Sequence, residues 1–261
     1  MYEKGPPPLM RATDFEFRYR FWLITAVFFI AFWCYRFDPV NAGAAVAGRL
    51  AGRPLQPDLA ADRHLLQGVF AAAAALALLA ALVRTWGAAY LRSNVVHDPS
   101  LRLEGVVADG PYRHVRNPLY LGTVLLGVGF GFLASRAGFL VLALGLTLFT
   151  YRLVRREESA LLATQGEDYR RFVAAVPRFV PSLTPRLPSG GMKPRWGQAW
   201  LGEAPMWLLA VSVAAFAATL NFTVFRIMIA VALAGYAIRL LVEAARRRGA
   251  PAAPSQGRPT S

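Results

Sequence analysis

The chain has 261 residues, 56% of them hydrophobic and only 17% charged, with a formal net charge of +14 and a mean hydropathy of +0.38. That balance excludes an ordinary soluble domain and implies an all-α, polytopic membrane bundle. The positive charge does not imply nucleic acid, because the arginines stand in short clusters at the ends of apolar runs and form no continuous stripe.

Residues 1–20 are a polar lead-in without a cleavable signal pattern. Residues 21–37 are apolar and aromatic-rich, which predicts a first spanning helix with Trp22, Trp33 and Tyr35 near its ends. The single Cys34 lies within it and permits no intrachain disulfide. His64, His97 and His114 lack a metal-ligand spacing, so no metal is expected. Residues 38–63, rich in Ala, Gly and Pro, have no assignable structure. Residues 65–83 predict a second span that continues as helix toward Arg92.

The stretch from Gly110 to Gly122 follows a polar connection over residues 93–117. The turn Asp109-Gly110-Pro111 leads into Arg113, His114 and Arg116, and the chain then enters an apolar run at Pro118. Proline suits the first turn of a helix, where its missing N–H costs nothing. A helix starting there, with three basic side chains beside its open N–H groups, is expected to form an anion-attracting rim flanked by Tyr112 and Tyr120. Residues 119–133 and 138–154 are two spans joined by a tight turn, and Gly122, Gly127, Gly129 and Gly131 on the first allow close helix approach. Of these, Gly122 is the one expected to do more than pack.

The second span ends in the cluster Arg155-Arg156-Glu157-Glu158. At about 100° per residue, Glu157 lies with Leu153, Val154 and Leu161 on the apolar stripe, whereas Glu158 falls beside Tyr151, Arg155 and Leu162. A carboxylate on an apolar face near a bilayer needs a ligand or a partner such as Arg116 or Arg113. Residues 157–175 read as an amphipathic surface helix, ended by Val176-Pro177. A Pro/Gly/Arg linker runs to Gly202, followed by spans at 205–220 and 224–242 that turn at Asn221. The tail over 249–261 reads as disordered. The organisation expected is thus N-terminal spans over 1–92, a core over 93–182, a linker and C-terminal hairpin over 183–248, and the tail. With about six spans, the arginine distribution puts both termini and both polar clusters in the cytoplasm of a bacterial-type inner (plasma) membrane, although Arg36, Arg49, Arg53 and Arg63 fall in the first external loop.

Gly110-Pro111-Tyr112, then Arg116-Asn117-Pro118-Leu119-Tyr120-Leu121-Gly122, then Glu157-Glu158 with Leu161, Gly166, Tyr169 and Val176-Pro177-Arg178 resemble the isoprenylcysteine carboxyl methyltransferases and the related phospholipid methyltransferases, over roughly residues 97–181. The resemblance implies an integral membrane enzyme that uses S-adenosyl-L-methionine. It implies a cofactor held by Glu104, Gly105, Val106 and Val107, by Tyr112, by Asn117, Pro118, Leu119 and Tyr120, and by Glu157, with Arg116 and Glu158 alongside. Glu157, Arg116 and Tyr120 are the residues expected at the reacting centre. The chain departs from the family's usual pattern in having Asn117 for a histidine. It also has Leu153 where the prenylcysteine enzymes carry a substrate-binding arginine, so that acceptor is not carried over. The expected partners are the lipid bilayer and a small or lipophilic methyl acceptor. The competing expectations are a membrane reductase using NADPH, which would need extra cations for the 2′-phosphate, and a non-catalytic lipid-binding membrane protein.

Overall fold

The structure, a computed structural model, describes residues 10–56, 58–91 and 109–248, the side chains of 239–248 excepted. The described residues are helical and form no strands. The helices are α1 (Asp14–Arg18), α2 (Arg20–Trp33), α3 (Ala42–Ala51), α4 (Ala60–Ala89), α5 (Pro118–Gly131), α6 (Arg136–Ala175), α7 (Trp196–Thr219) and α8 (Phe222–Arg248). The segment over 104–107, expected to touch the cofactor, lies outside the described residues, as does the tail over 249–261.

Three helices are long and apolar enough to cross a membrane: α4 with 30 residues, α6 with 40 and α7 with 24. Among the described residues these three stand beside further apolar helices, and together they are compatible with the polytopic membrane bundle expected. Two other apolar segments form shorter helices, since α2 and α5 have 14 residues each, while α8 runs for 27 residues. Fourteen residues rise only about 21 Å, against about 30 Å of hydrocarbon. A compensating apolar exterior is present, since Phe29, Trp33, Leu144, Leu148, Ile227 and Val231 are all exposed. In water such a surface would aggregate, whereas lipid tails cover it.

Small residues bring the central helices together. Ala73, Ala77, Ala80 and Ala81 of α4 are buried against α5 and α7. A Cβ on Gly129 would stand 2.8 Å from the carbonyl oxygen of Ala73. Backbone-to-backbone approach of this kind substitutes for the hydrophobic effect that lipid surroundings weaken.

Four stretches gain detail beyond the sequence reading. The unassigned stretch over 38–63 contains α3, whose Asn41 caps Ala44 at 2.8 Å and also donates to the Leu133 carbonyl at 3.1 Å. The linker expected up to Gly202 ends at Trp196, and Pro205 lies inside α7. Helix is kept there because Arg195 donates its N–H to Ala89 at 2.8 Å and Glu203 is bonded to Arg84. The polar lead-in contains α1, closed by a reciprocal capping box between Thr13 and Glu16. The surface helix expected over 157–175 continues from the spanning part of α6, which holds a π turn at Val141–Gly145, and kinks at Gly166 (φ 57°, ψ −121°).

Candidate functional site

The start of α5 and the acidic pair of α6 meet, as the sequence requires of a single site. The Tyr120 hydroxyl donates to Glu157 Oε1 at 2.6 Å, and Asn117 Nδ2 donates to Glu158 Oε1 at 3.3 Å. The helix register, however, sorts the two carboxylates differently from the expectation. Glu158 is the buried one, 4% exposed, while Glu157 is half-buried. The ion pair expected of Glu157 belongs to Glu158, which lies 3.3 Å from Arg116 Nε and accepts from Arg178 Nε at 3.0 Å and Nη2 at 2.8 Å. Burial alone would hold the Arg116 guanidinium below its ordinary range, and the Glu158 carboxylate works against that shift. For Arg178, burial pulls down but the Glu158 bonds outweigh it and the net direction is upward.

The anion-attracting rim expected of Arg113, His114 and Arg116 is not an open surface. These residues instead bind the last turn of α6 and the chain that follows it. Arg116 Nη1 donates to the Val173 carbonyl at 3.1 Å and Arg113 Nε to the Leu187 carbonyl at 2.7 Å. His114 Nδ1 lies 2.8 Å from the Ser182 carbonyl. Main-chain bonds add to the clasp, with Arg116 N–H donating to Pro177 and Ser182 N–H to His114. The basic residues thus neutralise carbonyl groups of a strap over 176–187 that covers the polar side of α6. Asp109 anchors the next part of the strap, accepting from Ser189 Oγ at 2.6 Å, Gly190 N–H at 2.8 Å and Met192 N–H at 2.9 Å. Burial pushes its carboxyl up, but those bonds and the nearby Arg113 outweigh burial and leave it below the usual carboxylate range. Beside it, Gly110 has φ +56°, and a Cβ there would collide with the Tyr90 ring. Only glycine meets both demands.

The remaining expected residues fall around this junction. Tyr112 is buried, and Pro118 is buried at N1 of α5, packed on Gly87, whose added Cβ would lie 3.2 Å from Pro118 Cγ. Asn117 makes no side-chain cap to the first turn of α5, and its Nδ2 donates to Glu158 and to the Arg178 carbonyl. Leu119 sends its carbonyl to Arg84 at 3.0 Å. Gly122, expected to act at the site, is where the Arg84 stem passes, since a Cβ would collide with Arg84 Cγ. Leu153 is fully buried. Its neighbours Arg152 and Arg156 are held by the N-terminal segment, through Glu16 at 2.8 Å and through Asp14.

Three residues of the junction were given no role from sequence: Arg178, quoted only as part of a motif, Arg84 and Glu203. Arg178 carried a signal, standing after Val176-Pro177 where the chain turns back. Arg84 and Glu203 are each a lone charge near the end of an apolar helix, a pattern that by itself points to a functional or paired group.

Comparison with curated proteins finds no match, and comparison with solved structures finds none either. Residues 69–166 match the model of the phospholipid methyltransferase family, a segment that takes in most of α4, all of α5 and α6 as far as Gly166 and so includes Tyr112, Asn117, Tyr120, Glu157 and Glu158. Over this segment the chain is similar to the phospholipid methyltransferase family.

Proposed function

We propose that the protein transfers a methyl group from S-adenosyl-L-methionine to a small or lipid-soluble acceptor that reaches the site from the bilayer, with the cofactor approaching from the cytoplasmic face. The observation that carries this reading is the Tyr120–Glu157 contact at 2.6 Å, which joins the two motifs of the family segment at the head of α5. The residues present fit the cofactor. Glu157 is a half-buried carboxylate, of the acceptor-only chemistry that receives ribose hydroxyls or an ammonium group. Tyr120 offers a ring face to a cation, and the first turn of α5, uncapped by Asn117, suits a carboxylate. The buried Arg116 has a positioning role here, fixing Glu158 and the strap around the site.

The bound cofactor supplies an electrophilic methyl group, and a good nucleophile then needs mainly alignment and exclusion of water. The strap over 176–187, clasped by Arg113, His114 and Arg116, brings Arg178 to Glu158 on α6 and fixes the acidic pair in place. Tyr120 orients the Glu157 carboxylate, while Glu158 holds Asn117 and Arg178 in register with it. The acceptor's reacting atom is left open by this reading.

Calorimetry with S-adenosylhomocysteine on the purified full chain in detergent tests the proposal. Binding is expected, and Glu157→Gln should weaken it about tenfold through loss of a charge-assisted bond, with Tyr120→Phe acting in the same direction. Binding of NADPH in its place would support a reductase, and failure of both ligands would support a non-catalytic membrane protein.

A further inference from the structure

Glu203 lies on α7, outside the segment that matches the family, yet its carboxylate is buried at 4% exposure. Arg84 of α4 grips it with a two-pronged fork, Nε to Oε2 at 2.7 Å and Nη2 to Oε1 at 3.1 Å. The third guanidinium nitrogen turns to α5, where Nη1 donates to the Leu119 carbonyl at 3.0 Å and to Thr123 Oγ1 at 2.9 Å. Thr123 donates its own hydroxyl to the same Leu119 carbonyl at 3.1 Å. The stem of Arg84 crosses α5 over Gly122, where an added Cβ would also come within 2.9 Å of the Ala80 carbonyl. Three helices therefore converge, through one planar cation, on the peptide group that immediately precedes Tyr120.

A buried ion pair is a poor adhesive, since well-packed apolar residues hold helices together as well or better. A fork fixed by two parallel bonds does add direction, because the remaining nitrogen can point only one way. We propose that Glu203, acting through Arg84, is a positioning residue for the first turn of α5 and sets Tyr120 against Glu157, so that the C-terminal helical hairpin completes the geometry of a site whose other residues lie in the family segment. The ligand-binding arm of this proposal rests on the methyltransferase reading, whereas the mechanical coupling does not. A built-in control exists one residue away. Trp207 Nε1 donates to Thr85 Oγ1 at 2.9 Å, tying the same two helices, α4 and α7, without a bond to α5.

The test uses the full chain in lipid nanodiscs, with amide hydrogen exchange over residues 119–124 read by mass spectrometry and S-adenosylhomocysteine affinity read by calorimetry. Glu203→Gln should speed exchange at the head of α5 and raise Kd about tenfold. Thr123→Val, which leaves the Arg84–Glu203 pair in place, should change both readouts in the same direction by less. Trp207→Phe should lower the melting temperature and leave exchange at 119–124 and the affinity as in the wild type. Unchanged exchange in Thr123→Val, or a Trp207→Phe effect equal to that of Glu203→Gln, overturns the proposal, because generic packing would then explain everything. Should Glu203→Gln fail to fold, Thr123→Val against Trp207→Phe decides. Should the wild type bind no S-adenosylhomocysteine, the methyl-donor reading falls and the exchange comparison alone decides the coupling.

Discussion

Replacing Glu158 by alanine isolates the electrostatic centre of the junction. The substitution deletes the partner of two cations that differ in their access to water: the Arg116 side chain is 6% exposed, and that of Arg178 25%. Arg178 loses bonds of 3.0 and 2.8 Å but can swing toward solvent, which limits its share to about 1 kcal/mol. Arg116 cannot. It would keep only the Val173 carbonyl at 3.1 Å, and a buried charge stripped of its partner costs about 3–5 kcal/mol. The Asn117 bond at 3.3 Å adds about 0.5–1 kcal/mol. Because these terms overlap, the expected loss is about 4 kcal/mol, or about 10 °C in melting temperature for a chain of this size.

Thermal unfolding in mild detergent, followed by tryptophan fluorescence, reads that loss. Arg116→Met should cost less, about 1–2 kcal/mol, because Glu158 keeps Arg178. The double variant Arg116→Met/Glu158→Leu should recover much of what Glu158→Ala loses, since it leaves no uncompensated charge. A Glu158→Ala loss under about 1 kcal/mol, the value of an exposed pair, or a double variant less stable than Glu158→Ala, would refute the account of Arg116 as a desolvated cation that depends on Glu158.

Gly110→Ala should destabilise the chain by about 2–4 kcal/mol, from a left-handed backbone and from a Cβ driven into the Tyr90 ring. In the same thermal assay, adding Tyr90→Ala should return only the part due to the collision. Asp109 has a folded pKa below its ordinary value, so its contribution is complete above the unfolded pKa of about 3.9 and is lost as pH falls through the lower folded value. Hydrogen exchange over residues 189–192, corrected for intrinsic rates, should therefore be flat from pH 8 to 5 and rise only below about pH 4. Asp109→Ala should remove that protection at every pH, and tryptic cleavage after Arg186 and Arg195 should accelerate. Gly166→Ala, where no atom lies within 4 Å of the added Cβ, should cost only backbone strain of about 1–3 kcal/mol, read as a lower melting temperature.

What could be read from the sequence divides along local and non-local lines. The ends of α5 were legible because Pro118 can start a helix and the turn at Ser135, whose hydroxyl accepts from Gly138 N–H at 3.0 Å, can start the next. The meeting of this helix with Glu157 and Glu158 was legible from the motif order alone. The assignment of the two carboxylates was not. Successive residues on a helix differ by about 100°, so Glu157 lies about 40° from Leu153, and Glu158 about 40° from Val154. Both Leu153 and Val154 are fully buried, so the apolar stripe admits either carboxylate. The choice is made by the strap over 176–187, which covers the nominally polar side of α6 and delivers Arg178 to Glu158, a tertiary event that no periodicity records. The same strap explains why the basic cluster was misread as an open rim. Arg113, His114 and Arg116 sit beside carbonyl groups contributed from about 60–75 residues downstream, and a main-chain carbonyl leaves no side-chain signature in sequence. At Arg84, Arg116, Arg152 and Arg156 the charged side chains near the apolar helices are committed to internal partners. Net charge therefore describes the surface that meets the membrane less well than it describes the ties that hold the site in shape.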